Sequence, residues 1–306
     1  MNMHSPDNQF DRCADVSIQQ LQTFRQVMQH GGYAAAARVS HLSTPSVWQH
    51  IQALEKTYGV RLFDRVGRQI QPTDAANRLN DLVDQILVQL ESTFDVVQDS
   101  LSDESVRLVT GVRMFLEDLA RPIAEFRKQY PNRLEIRHGN NRRAEELLLA
   151  GETDIALSLE SGYQQESALI HYEPAYVVEF FAVARPRHPF VKGKSATLES
   201  LVDHDLIVTM PGTHGRNALD QALHQEGLTA NIVVETDNSA FTIACVRAGM
   251  GVGILAGRVG GELSRGLTKV SLKQQLGHRQ MVFMWRKGQI LSEPVLGLVE
   301  EVKRLG

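Results

Sequence analysis

Apolar positions first separate from polar ones at Ile18, and Ile18, Leu21, Phe24 and Met28 then recur every three or four residues, the spacing of a helix with one buried face. Gly31-Gly32 ends that helix. A short second helix follows over Tyr33 to Val39, where the run Ala34-Ala35-Ala36-Ala37 leaves room for another helix to approach closely. Ser40-His41-Leu42-Ser43 makes a tight connection, and Thr44 reads as the N-cap of a third helix with Pro45 at its first position, where a missing N–H costs nothing. On that helix Val47, Ile51, Leu54 and Tyr58 fall along one line and define the buried stripe, while Gln49, Gln52 and Lys56 lie opposite, with Ser46 and Trp48 on the flanks. Gly59 ends the helix, and Val60 to Gln71 reads as two short strands around Gly67 with arginines at the tip. Helix, tight turn, helix and basic hairpin together make a winged helix-turn-helix layout.

After Pro72, Thr73 caps a long helix whose apolar positions are Leu79, Val83, Ile86, Leu90, Phe94, Val97 and Leu101. Steps alternating between three and four over that length are the signature of a two-helix seam, which predicts a self-pairing linker helix. From Val106 the texture becomes strands alternating with helices: strands at 106–109, 134–137 and 154–157 with helices at 116–130 and 142–150, then a second cycle near His188-Pro189-Phe190 with strands at 206–208 and 232–234 and helices at 217–225 and 240–248. Such a texture implies a largely parallel sheet covered by helices, in two lobes with a cleft between them.

Charge changes this picture more than composition does. The chain of 306 residues has a net charge of -4, yet residues 17–73 hold six basic side chains (Arg25, Arg38, Lys56, Arg61, Arg65, Arg68) against two acidic ones (Glu55, Asp64), an anion-seeking module on an acidic body. Cys13 and Cys245 are the only cysteines, which excludes a disulfide framework and a four-thiolate zinc site. Cys245, beside Phe241 and Ile243, reads as a packing residue, and Gly251-Val252-Gly253 as a tight helix-to-strand turn. No apolar stretch is long enough to span a bilayer and no apolar leader opens the chain, so the expected address is the cytoplasm, with no membrane partner. Residues before about Val16 read as an unpatterned extension. No His-Glu-x-x-His, Gly-x-Ser-x-Gly or Gly-Lys-Ser/Thr motif is present, so no catalytic residue, metal or cofactor is expected; the alternative is a small-molecule-binding α/β protein or enzyme with degenerate DNA recognition.

The run Ala36-Ala37, Ser43, Pro45, Val47, Ile51, Leu54-Glu55, Gly59-Val60-Arg61-Leu62-Phe63-Asp64-Arg65 and Pro72-Thr73 resembles the LysR-type transcriptional regulators. Residues 151–156, His188-Pro189 and 248–254 resemble that family's effector-binding domain. The resemblance implies a winged helix-turn-helix at 17–73, a dimerising linker helix at 74–104 and a two-lobed, periplasmic-binding-protein-like effector domain at 105–306, an α/β fold behind an all-α-rich N-terminal module. Lobe I is expected at about 105–185 and 267–306, and lobe II at about 186–266. The family implies homotetramers that bind double-stranded promoter DNA and change transcription when a small-molecule effector enters the cleft, and leaves RNA polymerase open as a further partner. Effector binding is expected to close the lobes and, through the linker helices, to alter the spacing of paired DNA modules. The chain departs from the family at Ala34, Ser40, Thr44 and Trp48, where Thr or Ser, Leu, Gln and Ser are common.

The expected DNA-binding residues are Ser43, Thr44 and Ser46 on phosphate or sugar, Gln49 and Gln52 on base edges, Trp48 on a thymine methyl or sugar edge, and Arg65 and Arg68 at the wing tip. His50, near the edge of the buried stripe, reads as a packing residue. Ligands of doubly wound α/β domains sit beyond the carboxyl ends of the strands, which nominates Thr110, Arg113, Asn140, Ser158, Thr209 and Asn238 for the effector. Arg113 would supply the charge for a carboxylate or other anion, unless it pairs with Glu117 one turn on.

Overall fold

The computed structural model describes residues 15–67, 69–98, 105–131, 133–160, 167–192, 197–258 and 261–305. The N-terminal extension with Cys13, the wing-tip Arg68 and the last expected seam position, Leu101, lie outside the described residues. The chain divides into two compact units, residues 1–100 with 286–290, and residues 101–285 with 291–306.

The first unit follows its apolar pattern closely. Helix α1 (Ile18–His30) begins with a reciprocal cap between Ser17 and Gln20 and ends at Gly31 in the left-handed conformation (φ 69°). Helices α2 (Tyr33–Val39) and α3 (Thr44–Tyr58) follow. Leu21, Phe24 and Val27 of α1, Ala36 and Ala37 of α2, and Val47, Ile51 and Leu54 of α3 share one core. His50 packs as expected, its Nδ1 lying 2.8 Å from Thr23 Oγ1 on α1. Two expectations for α3 are corrected. Its N-cap is Ser43, whose Oγ accepts the Ser46 N–H at 3.1 Å, so Thr44 opens the helix and Pro45 lies one place further in. Tyr58, in line with the buried stripe, is 45% exposed. Strands β1 (Phe63–Val66) and β2 (Gln69–Pro72) form the antiparallel wing, with Gly67 at φ 64° in the turn. Thr73 accepts the Ala76 N–H and starts α4 (Asp74–Gln98). The expected seam divides: Val83 joins the unit's core together with Ala76 and Leu87, whereas Ile86, Phe94 and Val97 are exposed together with Leu82.

The second unit is a twisted mixed sheet in the order β4-β3-β5-β11-β6-β9-β7-β8, with β10 paired to β6. One end holds β3 (Val106–Thr110) parallel to β4 (Leu134–His138) and β5 (Ile155–Leu159). The other holds β7 (Leu206–Thr209) parallel to β8 (Ile232–Thr236) and β9 (Val252–Gly257). The lobes are joined by the 15-residue β6 (Ile170–Ala184) and by β11 (His278–Arg286), which pairs with β5, while β10 (Thr268–Ser271) pairs with the lobe II half of β6. Tyr176 and Val178 of β6 belong to the first lobe's core and Phe180, Ala182 and Ala184 to the second's. This moves the expected boundaries. The chain leaves lobe I near residue 179 rather than 185, inside one strand, and returns near 277 rather than 267, since Leu272 and Leu276 complete the second core.

Helices cover both faces of each end. The expected helix at 116–130 is three segments: α5 (Val112–Met114), a π-helical stretch (Phe115–Leu119) and α6 (Ala120–Gln129). Helices α7 (Asn141–Leu149) and α12 (Glu293–Lys303) complete lobe I, and α8 (Leu198–Val202), α9 (His214–Gln225), α10 (Ser239–Ala248) and α11 (Lys273–Leu276) lie in lobe II. Two family-like motifs have structural explanations. Asp154 accepts the Arg107 backbone N–H at 2.7 Å, tying β5 to β3. Gly251 (φ 153°) must be glycine, because a Cβ there would collide with the Asp205 carbonyl oxygen. Cys245 packs partly buried against the core beneath α10. Among the described residues no helix is long and apolar enough to cross a membrane.

Candidate DNA-reading face and effector cleft

Helix α3 turns a polar face outward. Gln49 and Gln52 are exposed there, Thr44 is exposed at its first turn, and Ser46 is half-buried with its Oγ 2.7 Å from that of the capping Ser43. Pro45 has no N–H here and the Ser46 and Val47 N–H groups bond to Ser43, so it is the positive end of the helix and its exposed hydroxyls that suit a phosphate. Trp48 is 50% exposed and leans over a groove of about 530 Å³ between α3 and the wing. Tyr33, Trp48, Gln52, Arg61 and Arg65 are among the residues that line it. Arg65 has its Nε 3.3 Å from the Gly67 carbonyl oxygen and makes no ion pair among the described residues, so its charge is available to an anion. Burial and the neighbouring Glu55 both push the Tyr33 phenol pKa up, so the ring is neutral at ordinary pH and serves as an aromatic wall.

Glu55 holds this groove together. Its Oε1 accepts the backbone N–H groups of Leu62 (2.8 Å) and Phe63 (3.2 Å), fastening the wing to α3, and its Oε2 accepts the side-chain N–H of Gln52 at 2.6 Å. Sequence reading placed Gln52 and Arg65 but missed Arg61, Tyr33 and Glu55 as members of the same face. The signal for Arg61 was its place at the entry to the first wing strand.

In the second unit the expected effector residues do follow strand ends, but their polar groups are engaged locally. Thr110, ending β3, is buried with its Oγ1 3.8 Å from Met114 Sδ. Asn140 caps α7 through the Arg143 N–H (3.0 Å), and Ser158 is buried and donates to Asn141 Oδ1. Thr209 shares a 2.7 Å hydroxyl contact with Thr213, the N-cap of α9, and Asn238 caps α10 through the Ala240 and Phe241 N–H groups. Helix α10 of lobe II lies against α5 of lobe I, which brings the Asn238 and Arg113 segments together.

Arg113 is not the open anion receiver expected of it. It is buried, and its Nη1 lies 3.1 Å from both Glu117 Oε2 and Asp118 Oδ2. The wider π-helical turn is what lets two successive carboxylates face back onto one guanidinium. Tyr176 donates its hydroxyl to Asp118 Oδ2 at 2.8 Å. Burial works against the Arg113 charge, but Asp118 and Glu117 outweigh it and hold the pKa above normal. Burial raises the Glu117 pKa despite Arg113, with Asp118 adding to the rise.

The cation that sequence reading missed is Arg279, at the start of crossing strand β11. Its guanidinium sits 5.5 Å from the centre of the Phe180 ring, its Nη1 donates to the His278 carbonyl at 2.8 Å, and it makes no ion pair among the described residues. His214, opening α9 beside Thr213, has its pKa lowered by burial and then by Arg279, so it is a neutral hydrogen-bonding imidazole at pH 7. The apolar pattern assigns no element within residues 267–306, which is why a lone arginine there carries no signal.

A winged helix-turn-helix with an exposed amide-bearing face, joined to a two-lobed α/β domain, defines a ligand-responsive DNA-binding protein. Residues 18–77 match the family described as bacterial regulatory helix-turn-helix protein, lysR family, and residues 100–306 match the LysR substrate binding domain. The chain belongs to the LysR family of transcriptional regulators, with a DNA-binding and an effector-binding domain. It is 28% identical over 281 residues to the HTH-type transcriptional regulator CysB of Burkholderia cenocepacia, covering 90% of this chain and 88% of that one. It is 27% identical over 248 residues to the transcriptional activator CmpR of Synechocystis, covering 79% of each. Among solved structures it is similar in fold to a full-length OxyR variant from Pseudomonas aeruginosa (TM-score 0.58, 17% identity, 94% of this chain and 95% of that one).

Proposed function

We propose that this regulator reads double-stranded promoter DNA in the cytoplasm as a homotetramer built from dimers paired through α4, and that its effector is a small carboxylate or other anion. The observation that carries the DNA assignment is the groove between α3 and the wing, with exposed Gln49 and Gln52 facing base edges and Arg61 and Arg65 facing phosphate. Ser43, Thr44 and Ser46 serve the phosphate at the helix N-terminus, and Trp48 covers a sugar edge from the groove wall. RNA polymerase is the partner through which promoter occupancy becomes transcription.

The test is fluorescence anisotropy of the purified protein on its own upstream duplex against a scrambled one, at several salt concentrations. Preferential, salt-steep binding to the upstream duplex is expected; equal binding to both would overturn the assignment. Replacing Arg65 and Arg68 by alanine should weaken binding to both duplexes and flatten the salt slope by up to about two units for each module on the duplex, one per lost phosphate contact.

For the effector, the anion-binding charge is Arg279 rather than Arg113, because Arg279 alone of the two has no carboxylate partner among the described residues. His214 and Thr209 of lobe II supply neutral hydrogen-bonding groups. Calorimetric titration against a panel of small carboxylates should find a binder that Arg279→Ala weakens about tenfold or more, the scale of a hydrogen bond to a charged group. If every binder is indifferent to that change, the effector is not held as an anion at Arg279.

A further inference from the structure

The side-chain amide of Gln52 is not free to choose its orientation. The Glu55 carboxylate is fixed first, because Oε1 takes two backbone N–H groups at the entry to the wing, 2.8 Å from Leu62 N and 3.2 Å from Phe63 N. That leaves Oε2 aimed along α3 at the residue three positions earlier. An ionised carboxylate only accepts hydrogen bonds, so the amide meeting it must present nitrogen, and Gln52 Nε2 lies 2.6 Å away. The Gln52 oxygen is then forced to the far side of the amide from Glu55, on an exposed face of the helix. A glutamine lacking such a neighbour can turn its amide over and offer either a donor or an acceptor at that place.

We propose that Glu55 is a specificity-determining positioning residue: by holding the Gln52 nitrogen it places an acceptor at the outer side of the amide, and so selects a base that offers a donor there, adenine through N6 or cytosine through N4, over guanine or thymine. This rests on the reading of α3 as the base-reading helix. Glu55 touches no base. It acts through Gln52, and its hold on the wing serves the same end, because the staple that fixes the carboxylate fixes the amide.

The substitution Glu55→Gln tests this directly. Glutamine at 55 keeps an oxygen for the Leu62 and Phe63 N–H groups but offers nitrogen to Gln52, which then turns its own oxygen inward and its nitrogen outward. The experiment is selection of full-length protein on a library of randomised duplex DNA, comparing base preferences of the wild type, Gln52→Ala, Glu55→Gln and the double variant. The position whose preference collapses in Gln52→Ala identifies the base under Gln52. At that position the wild type should favour adenine or cytosine, and Glu55→Gln should shift the preference to guanine or thymine by about tenfold, the scale of one base contact. In the Gln52→Ala background the Glu55 change should leave that position unaltered.

If Gln52→Ala removes a preference and Glu55→Gln leaves it as in the wild type, the positioning role is wrong while base reading by α3 stands. If Gln52→Ala alters no position, the base-reading assignment itself fails and the inference with it. A second variant keeps Glu55 and its hold on Leu62 and Phe63: Gln52→Glu, whose carboxylate is repelled by Glu55 and can only accept, should show the same adenine or cytosine preference as the wild type. A shift to guanine or thymine in that variant would overturn the proposal even if Glu55→Gln does not fold.

Discussion

Replacing Arg113 by alanine is expected to destabilise the C-terminal unit by about 3–5 kcal/mol, the cost of breaking a buried ion pair by removing one partner. Glu117 and Asp118 are both buried, and Arg113 is the cation within 3.1 Å of each. Without it two carboxylates face each other with only the Tyr176 hydroxyl left to Asp118. The deficit should depend on pH in a definite direction. Burial raises the Glu117 pKa above its ordinary value, so protonation of this group favours the folded state; its contribution is complete below the ordinary carboxylate pKa and is lost as pH rises through the raised value. Removing Arg113 raises that value further, so the variant should be weakest at neutral pH and regain stability on acidification. Denaturant unfolding at pH 7 and pH 5 measures both effects. A variant as stable as the wild type at pH 7 would show that the carboxylates find other partners. Neutralising the whole group, Arg113→Met with Glu117→Gln and Asp118→Asn, should restore much of the loss, since a buried ionic group contributes little net stability against neutral residues of similar volume.

The same cluster shows where the residues were legible and where they were not. Helices α1 to α3 and the wing follow from apolar spacing and glycine stops because each has one face against a single small core. The misplaced cap at Thr44 arose because both Ser43 and Thr44 have the right chemistry; Pro45 is tolerated at either of the first two helical positions and does not decide between them. Arg113 was read at 3.6 residues per turn, which makes Glu117 its natural neighbour but hides Asp118. The π-helical insertion brings both carboxylates to it, and nothing in the local periodicity announces that insertion. Strand β6 was missed for a different reason. Its burial does not alternate simply, since one half faces lobe I and the other lobe II, and Pro174 interrupts the run near its start. With β6 and β11 unread, the lobe boundaries and Arg279 could not be placed. Chemistry was legible where regular helical spacing sets a residue's neighbours, as for the exposed glutamines of α3, and illegible where an irregular turn, as at Asp118, or a crossing strand, as at Arg279, supplies them.

Charging the exposed side of α4 is expected to have the largest effect on DNA binding. At 100° per residue its apolar positions fall on two lines about 90° apart, Ala76, Val83, Leu87 and Phe94 on one and Leu82, Ile86 and Val97 on the other. Ala76, Val83 and Leu87 are spent on the core of their own module, whereas Leu82, Ile86, Phe94 and Val97 are 44–71% exposed. Leu82, Ile86 and Val97 form an exposed apolar stripe, Phe94 continues the buried line beyond the module's own core, and such a surface on a charged chain suits a second copy of the same helix. Ile86→Asp with Phe94→Asp removes the stripe without touching the module's own core, so each winged helix-turn-helix should stay folded. Sedimentation equilibrium should then show the assembly losing its α4-paired dimers. Binding to a duplex carrying two half-sites should fall by about 100-fold or more, because two modules held together bind the second half-site as an intramolecular event and separated modules do not. Binding to a single half-site should barely change, which separates loss of pairing from loss of the reading face. Unchanged sedimentation of the double variant would mean that the subunits pair through another surface and that the exposed stripe of α4 meets a different partner.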